Sequence, residues 1–218
     1  ILTTDPRIVK EAKTVPEVTY EEAQELAMFG SQVLHPRSMV PVRKSGTPVR
    51  VKNSYNISSS GTIIVEKHSG KVPPVCAITS VKHVQVIDMV SNRMLGACGF
   101  LAHIFNNFLK WNISIDVIAT SEVSVSCTVS GKEKLDGLVE DLKRACDVTV
   151  RSERAIVTVI CDVEHSSAIL ASGFASLSDE GINVQMISQG ASKVNISFIV
   201  DDSEADRTVQ ILNNAFFT

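Results

Sequence analysis

Residues 99–129 read GFLAHIFNNFLKWNISIDVIATSEVSVSCTV, and residues 169–200 read ILASGFASLSDEGINVQMISQGASKVNISFIV. The two stretches share an apolar skeleton at an offset of 69 positions. Leu101 matches Leu170, Phe105 matches Phe174, Phe108 matches Leu177, Ile113 matches Ile182 and Val125 matches Val194. The polar residues inside that skeleton differ. A shared skeleton implies a shared fold, and divergent polar residues imply different tasks, as in a pair of small regulatory modules.

Working outward, each copy follows one order of elements. In the first, Val84 to Met89 reads as a strand and Gly99 to Leu109 as a helix. Ile104, Phe105, Phe108 and Leu109 fall on one face of that helix. Ile113 to Ala119 and Val123 to Val129 read as strands, Leu135 to Leu142 as a helix, and Val148 to Val150 as a closing strand. In the second, Ile156 to Ile160, Ile182 to Ile187 and Val194 to Val200 read as strands. Ile169 to Leu177 is a helix, and Ala205, Val209 and Leu212 mark another. Each unit is β-α-β-β-α with a final strand present or borrowed. That is the ferredoxin-like plan, an antiparallel sheet with both helices on one face. Units of about 70 residues are marginal alone, so the two are expected to pack together across a dimer. The expected boundaries are 75–150 for the first unit and 151–218 for the second.

Ahead of the repeat, residues 1–70 have a different texture. Residues 1–4 read as the end of a strand, and Asp5-Pro6 as a turn. Thr19 and Glu22 have capping-box spacing, and Ala23, Leu26, Ala27 and Val33 continue a helix to about Leu34, before Pro36. Pro48 to Val51 and Thr62 to Val65 read as strands, and Lys71 to Pro74 as a linker. Ile1 stands where a start methionine would, so the chain reads as a piece whose first domain is cut in the middle.

The bulk numbers exclude several classes. The 218 residues carry 44% hydrophobic and 21% charged side chains, ordinary for a globular protein. A formal charge of −3 argues against a nucleic-acid scaffold. No apolar run approaches the roughly 20 residues of a membrane span, and no signal-peptide pattern is present. The cysteines Cys76, Cys98, Cys127, Cys146 and Cys161 are odd in number, lack a C-x-x-C pair and sit beside apolar residues. They read as reduced, buried thiols.

Longer strings carry a family resemblance. TTDPR (3–7), EAQELAMFGSQVLHPRSM (22–39), PVRVKNSYN (48–56) and GTII (61–64) resemble the C-terminal third of the amino-acid-kinase domain of aspartate kinase. SNRMLGACGFLAHIF (91–105), ISIDVIATSEVSVS (113–126) and NVQMISQGASKVNISFIV (183–200) resemble the ACT modules of its plant and algal lysine-sensitive form. The implied fold is the C-terminal piece of an α/β kinase domain, followed by two ferredoxin-like (βαββαβ) ACT modules of the α+β class. The implied activity is transfer of the γ-phosphoryl of ATP, with Mg2+, to the side-chain carboxylate of L-aspartate. The resemblance also implies inhibition by lysine, a homodimer or dimer of dimers through the ACT modules, and a plastid stroma or cytoplasmic location.

The resemblance places Arg7 against the nucleotide phosphates, where a guanidinium suits the charge, with Leu2, Gln32 and Val33 near the nucleotide. Leu2 replaces an aromatic residue and Gln32 a lysine found in many relatives. His35 precedes Pro36, lacks a neighbouring carboxylate and reads as a helix-end residue rather than a base. Lys44, Arg50 and Lys52 read as solvated charges. No catalytic residue is assigned, because the phosphate loop and its lysine are not in this sequence.

A sharper site lies in the first repeat. Gly96 and Gly99 let backbone approach a ligand ahead of a helix N-terminus, whose amides attract a carboxylate. Asp116 falls among apolar residues on a strand facing that loop, and a buried carboxylate calls for a cation. Glu122 follows Thr120 and Ser121. Amides and hydroxyls for an α-carboxylate, with carboxylates for an ammonium, meet the requirement for free lysine. The resemblance implies the same pocket from Met94, Ala97, Gly99, Phe100 and Leu101 on the loop side, and from Ile115, Asp116, Thr120, Ser121 and Glu122 on the strand side. The second copy carries Gln185 and Ala191 at the acid positions, and reads as a packing and dimerisation module. The competing reading is a free-standing, non-catalytic amino-acid sensor that begins near the end of a kinase domain.

Overall fold

Two long strands organise the computed structural model, which describes residues 1–30, 35, 38–70, 73–96, 98–190 and 194–218. Residues 1–70 contribute β1 (Glu17–Thr19), α1 (Tyr20–Met28), α2 (Met39–Ser45), β2 (Val49–Val51) and β3 (Thr62–Val65). Then come β4 (Val75–Val90), α3 (Phe100–Lys110), β5 (Ile118–Thr120), β6 (Ser124–Ser130), α4 (Asp136–Leu142) and β7 (Asp147–Cys161). The chain closes with α5 (Ser166–Asp179), β8 (Met186–Ser188), β9 (Asn195–Asp201) and α6 (Ala205–Phe217).

The N-terminal piece is a small mixed sheet of order β1-β3-β2, with β1 parallel and β2 antiparallel to β3. The capping box starts α1 as the spacing requires: the Glu22 amide donates to Thr19 Oγ1 and the Thr19 amide to Glu22 Oε2. The helix stops at Met28, short of the expected Leu34; residues 31–34, 36, 37, 71 and 72 lie outside the described residues. Helix α2 has no counterpart in the sequence reading because Pro41 breaks its pattern. Pro41 sits in the first turn, where its missing N–H has no intrahelical partner to lose.

The remaining strands form one antiparallel sheet of order β5-β6-β4-β7-β9-β8. Strands β4 and β7 run through both units. Val84–Val90 of β4 pair with β6 and with the first half of β7, completing the first ferredoxin-like unit. Val75–Val81 pair with Ile156–Cys161, beside β9, and complete the second. The second unit thus borrows its final strand from chain that precedes the first. Residues 75–81, expected in the first unit, pack in the second: Val75 and Ile78 share a core with Val157, Phe198 and Leu212.

Side-chain alternation divides the strands between layers, as a two-residue period dictates. Ile87 and Met89 face α3 and α4, meeting Ile104, Phe108, Leu138 and Leu142. Val84 and Val86 face the other way and meet Val117, Ile156, Met186 and Ile199, so the helix-free faces of the two units close on each other. The edge strands touch there as well, Ser188 Oγ donating to Ile118 O at 3.0 Å. On the second unit, Cys76, Ala77 and Ile160 seat the N-terminal piece through Val18, Leu26 and Ile64.

The repeat is less regular than its sequence offset. Ile113 and Ile182 both donate to the phenyl or leucyl residue five earlier, Phe108 O at 3.0 Å and Leu177 O at 2.9 Å, which keeps the offset of 69. Beyond the hairpin the Asp116 amide meets Thr128 O, whereas the Gln185 amide meets Ile199 O. The second copy has therefore gained two residues in its turn. Val125 corresponds to Ile196, not Val194, and Val125, Cys127 and Val129 correspond to Ile196, Phe198 and Val200, all fully buried.

All five thiols are free; Cys98 is exposed and the other four are buried. Burial pushes Cys127 and Cys161 up to about 12 and raises Cys76 further. The native chain should therefore titrate one rapid thiol with Ellman's reagent, and five after unfolding. Phe198 is fully buried and meets Phe174 edge-to-face at 5.7 Å between ring centres. Phe198→Ala should destabilise the protein by about 3–5 kcal/mol in urea unfolding; a loss below about 1 kcal/mol would mean that the core closes over the gap.

Candidate nucleotide and effector sites

Leu2 and Arg7 line one cavity of about 380 Å³, together with Asp5, Leu26, Gly30, Ile78, Thr79 and Ser80. The Asp5-Pro6 turn is tied by its own arginine: the Arg7 amide donates to Asp5 Oδ1 at 2.8 Å and its guanidinium to Asp5 Oδ2 at 2.6 Å. That hydrogen bond holds the Asp5 carboxyl below the usual range. The Arg7 side chain stays largely exposed, so its remaining N–H groups can reach an anion. Gln32 and Val33 lie outside the described residues, although Gly30, just before them, is on the wall of the same cavity. The His35 carbonyl accepts from the Ser38 amide and hydroxyl, at 2.9 and 2.6 Å, so His35 lies ahead of the start of α2 and not at the end of α1, which stops at Met28. Lys44, Arg50 and Lys52 are exposed.

The sequence reading did not foresee the other wall of this cavity, which is β4. Three consecutive residues of β4 hold the N-terminal piece. The Ile78 amide donates to Thr3 O at 2.7 Å, and the Thr79 hydroxyl donates to the Phe29 carbonyl. Gly30, at φ 107, lies so close to Ser80 that a Cβ there would come within 2.5 Å of the Ser80 oxygen. The available signal was the β-rich run VCAITSV at 75–81.

A second cavity, of about 320 Å³, lies at the other end of β4. Met94, Leu95, Gly96, Phe100 and Leu101 line one side, with Ser121 and Glu122 opposite. A single 3-10 turn over Asn92–Met94, capped by Ser91 Oγ on the Arg93 amide at 3.2 Å, carries Met94 into it. Gly99, at φ 83, is the N-cap of α3, and places Phe100 half-buried against the first core. Ser121 is fixed in the β5–β6 turn: its amide donates to Ser124 O at 2.8 Å, and the two hydroxyls are 2.7 Å apart. Thr120 is exposed on β5, opposite Val125. Ile115 packs on the first core, and Ala97 lies outside the described residues.

Asp116 is not where the sequence reading put it. It is exposed, in the extended segment before β5, and is absent from the cavity wall. Strand β5 separates it from Ser121 and Glu122, and the four residues from 116 to 120 cover about 13 Å at strand spacing. Partial desolvation and, secondarily, the charge of Glu133 raise its carboxyl above the usual range. No cation pairs with it among the described residues. Its counterpart Gln185 is fully used inside the protein, accepting from Arg154 Nε at 2.8 Å and donating to Asp201 Oδ1 at 2.9 Å. Ala191 lies outside the described residues.

These features define the class. Residues 155–216 match the family described as ACT domain, and residues 1–53 match the amino acid kinase family. Over its whole length the chain is homologous to the aspartokinases. It is 48% identical to aspartokinase 1, chloroplastic, of Arabidopsis thaliana, across 100% of this chain and 40% of that protein. It superposes on Escherichia coli aspartokinase III in complex with aspartate and ADP (R-state) with a TM-score of 0.90, at 35% identity over 100% of this chain and 50% of that one. For the complex of the same enzyme with lysine and aspartate (T-state) the TM-score is 0.82, at 33% identity over 100% and 50%. The chain thus spans about two fifths to one half of these relatives. Among the described residues no helix is long and apolar enough to cross a membrane.

The raised Asp116 pKa has a sign that can be tested. An acid whose folded-state pKa lies above its unfolded one favours folding only while neutral, and that contribution is lost as pH rises through the folded pKa. Asp116→Asn should therefore raise the ligand-free unfolding midpoint at pH 7 and leave it unchanged near pH 3. A lower midpoint at pH 7 would show that the carboxylate has a cationic partner.

Proposed function

We propose that the protein is an aspartate kinase, which phosphorylates the side-chain carboxylate of L-aspartate with ATP to give 4-phospho-L-aspartate and which free lysine inhibits. One observation carries this reading: a single strand, β4, forms a wall of the cavity of Leu2 and Arg7 and ends at the loop that forms the effector cavity. Homology to aspartokinases over the whole chain supports the chemistry. Arg7 would meet the phosphates, exchanging part of its contact with Asp5 for them. One arginine cannot balance a triphosphate, so Mg2+ and the family's phosphate loop would supply the remaining positive charge. No catalytic residue is assigned among the described residues.

Lysine would sit in the cavity of Met94, Phe100, Leu101, Ser121 and Glu122, its α-carboxylate toward the Ser121 turn or the start of α3. Glu122 and Asp116 would share its ammonium groups. Asp116 lies too far along β5 to serve the cavity of its own chain. It can serve that of a second copy if two first units pair, which makes the effector site a dimer site and brings Ile115 with Asp116. Exposed Leu95, Leu101, Leu109 and Ile118 on this unit offer apolar surface for that pairing. Lysine binding would favour a dimer arrangement in which the kinase domains are less active, which needs only differential affinity for two states. The coupling needed is on the order of 1–3 kcal/mol. The chloroplastic relative supports a plastid location.

Calorimetry of the chain with lysine should give saturable binding, with sedimentation showing dimerisation in the same range. Asp116→Ala and Glu122→Ala should each weaken binding at least about tenfold, the loss of one charge-assisted contact. Unchanged binding in Asp116→Ala would remove the shared-site assignment. The absence of lysine-sensitive acyl-phosphate formation by the kinase that carries these residues would remove the function.

A further inference from the structure

Where β4 and β7 pass from one unit to the other, three side chains with metal-ligating atoms converge. They are His83 on β4, Glu153 on β7 and Asp202, immediately after β9. His83 Nδ1 lies 3.4 Å from Asp202 Oδ2 and 3.9 Å from Glu153 Oε2, and one ligand atom from each residue lies within 4.8 Å of the others. A dication with bonds of about 2.0–2.2 Å to nitrogen and oxygen holds its donors roughly 3–3.5 Å apart. The His83–Asp202 pair is already at that spacing, and the other two pairs, within 4.8 Å, would have to draw closer around an ion.

The convergence is built by the backbone. His83 and Glu153 both adopt left-handed conformations, φ 57 and φ 54, at the point where the β4–β7 register shifts. Left-handed residues other than glycine are uncommon in strands and concentrate at ligand clamps. Each is held in place. The His83 amide donates to Asp202 Oδ1 at 2.6 Å, and its carbonyl accepts from the Gly131 amide at 2.8 Å. Gly131 cannot be replaced cheaply, since a Cβ would lie 2.1 Å from that carbonyl oxygen. On the other strand Arg154 donates to the carbonyls of Ser152 and Glu153, both at 2.9 Å. The neighbouring cations are occupied by other acids, Lys82 by Asp206 and Arg154 by Asp201.

We propose that His83, Glu153 and Asp202 form a binding site for a divalent transition-metal ion at the joint between the two units. One imidazole and two carboxylates suit Zn2+ or Mn2+ better than an all-oxygen ion such as Mg2+. His83 and Glu153 are mostly exposed, so water completes the coordination and the ion exchanges with solvent. A bound ion would tie β4, β7 and the approach to α6 together. It would stiffen the place between the two units where the long ladder departs from regular pairing.

The test is calorimetric titration of Zn2+ into the chain carrying Cys98→Ser, which removes the exposed thiol as a rival ligand. One equivalent should bind. His83→Asn retains a residue that tolerates left-handed backbone, and Glu153→Gln retains the shape of the carboxylate. Each should lower the affinity at least about tenfold, as for loss of a ligand or its support, with the metal-free unfolding midpoint in place. X-ray absorption of the Zn2+ complex, which needs no second substitution, should show one imidazole among oxygen donors at about 2.0–2.2 Å. Three results would overturn the site: no saturable binding, affinity and stoichiometry unchanged in both variants, or a coordination shell without imidazole. The second of these would mean adventitious ligation elsewhere.

Discussion

The antiparallel pairing of β4 with β7 is the constraint on which the rest of the molecule depends. It joins Val75–Val90 to Asp147–Cys161 along nearly their whole lengths, with register shifts near its start, between Val75 and Ala77, and around Val81–Val86. Each half of the ladder pairs an inner with an outer strand of a different ferredoxin-like unit, and the ladder as a whole is the centre of the six-stranded sheet. The second unit has no fourth strand of its own. It uses residues that precede the first unit, so the first unit is in effect an insertion into the second. That arrangement answers the size problem posed by units of about 70 residues, because two marginal cores share one continuous backbone ladder.

The same ladder sets the distance over which the proposed sites can communicate. Ile78, Thr79 and Ser80 touch the segments that line the nucleotide cavity, and β4 ends at Val90, one residue before the Ser91 cap of the effector loop. At about 3.3 Å per residue the eleven residues from Ser80 to Ser91 span about 36 Å. Val84–Val90 of β4 are hydrogen-bonded on both sides, by β6 and β7, and such a strand does not compress, so motion of the effector loop passes along β4 as a rotation or shift of the strand. The left-handed residues His83 and Glu153 mark the irregular part of the ladder that lies between the two units. The relative angle of the units is set there, which is why a ligand at that joint would bear on both cavities.

Much of this was legible in sequence, for identifiable reasons. The apolar faces of α3, α5 and α6 and the capping box of α1 are local patterns, and they fold as they read, whereas the strand expected over Ile113–Ala119 is confined to Ile118–Thr120. The continuity of β7 was hidden by Arg151, Ser152, Glu153 and Arg154, a polar run that looks like a turn. In the structure Arg151 pairs with Asp88 across the ladder, and Arg154 with Gln185 and Asp201, so the charges are satisfied without interrupting the strand. The two-residue lengthening of the second hairpin was hidden because Val194 happens to fall at the unshifted offset. The site was legible in part. Met94, Phe100, Leu101, Ser121 and Glu122 come together as expected, since a loop and the adjacent turn define them. Asp116 does not, because its direction depends on the length and tilt of β5, which alternation alone cannot supply.

The position of Asp116 also bears on why the two copies diverged. Gln185 occupies the same place in the second unit and is spent entirely on Arg154 and Asp201, so that copy closes its own polar positions internally. Asp116 has no such partners within the described residues and, although exposed, its carboxyl is raised by local desolvation and by the charge of Glu133. A carboxylate kept at a position that penalises ionisation is destabilising by itself. That penalty becomes useful when an ammonium group arrives, because the charge then gains a partner that the free chain lacks. The second copy has given up this capacity in exchange for a settled hydrogen-bond network. On the proposed reading, the first keeps it beside the edge strand β5, where a neighbouring chain would bring the ligand within reach.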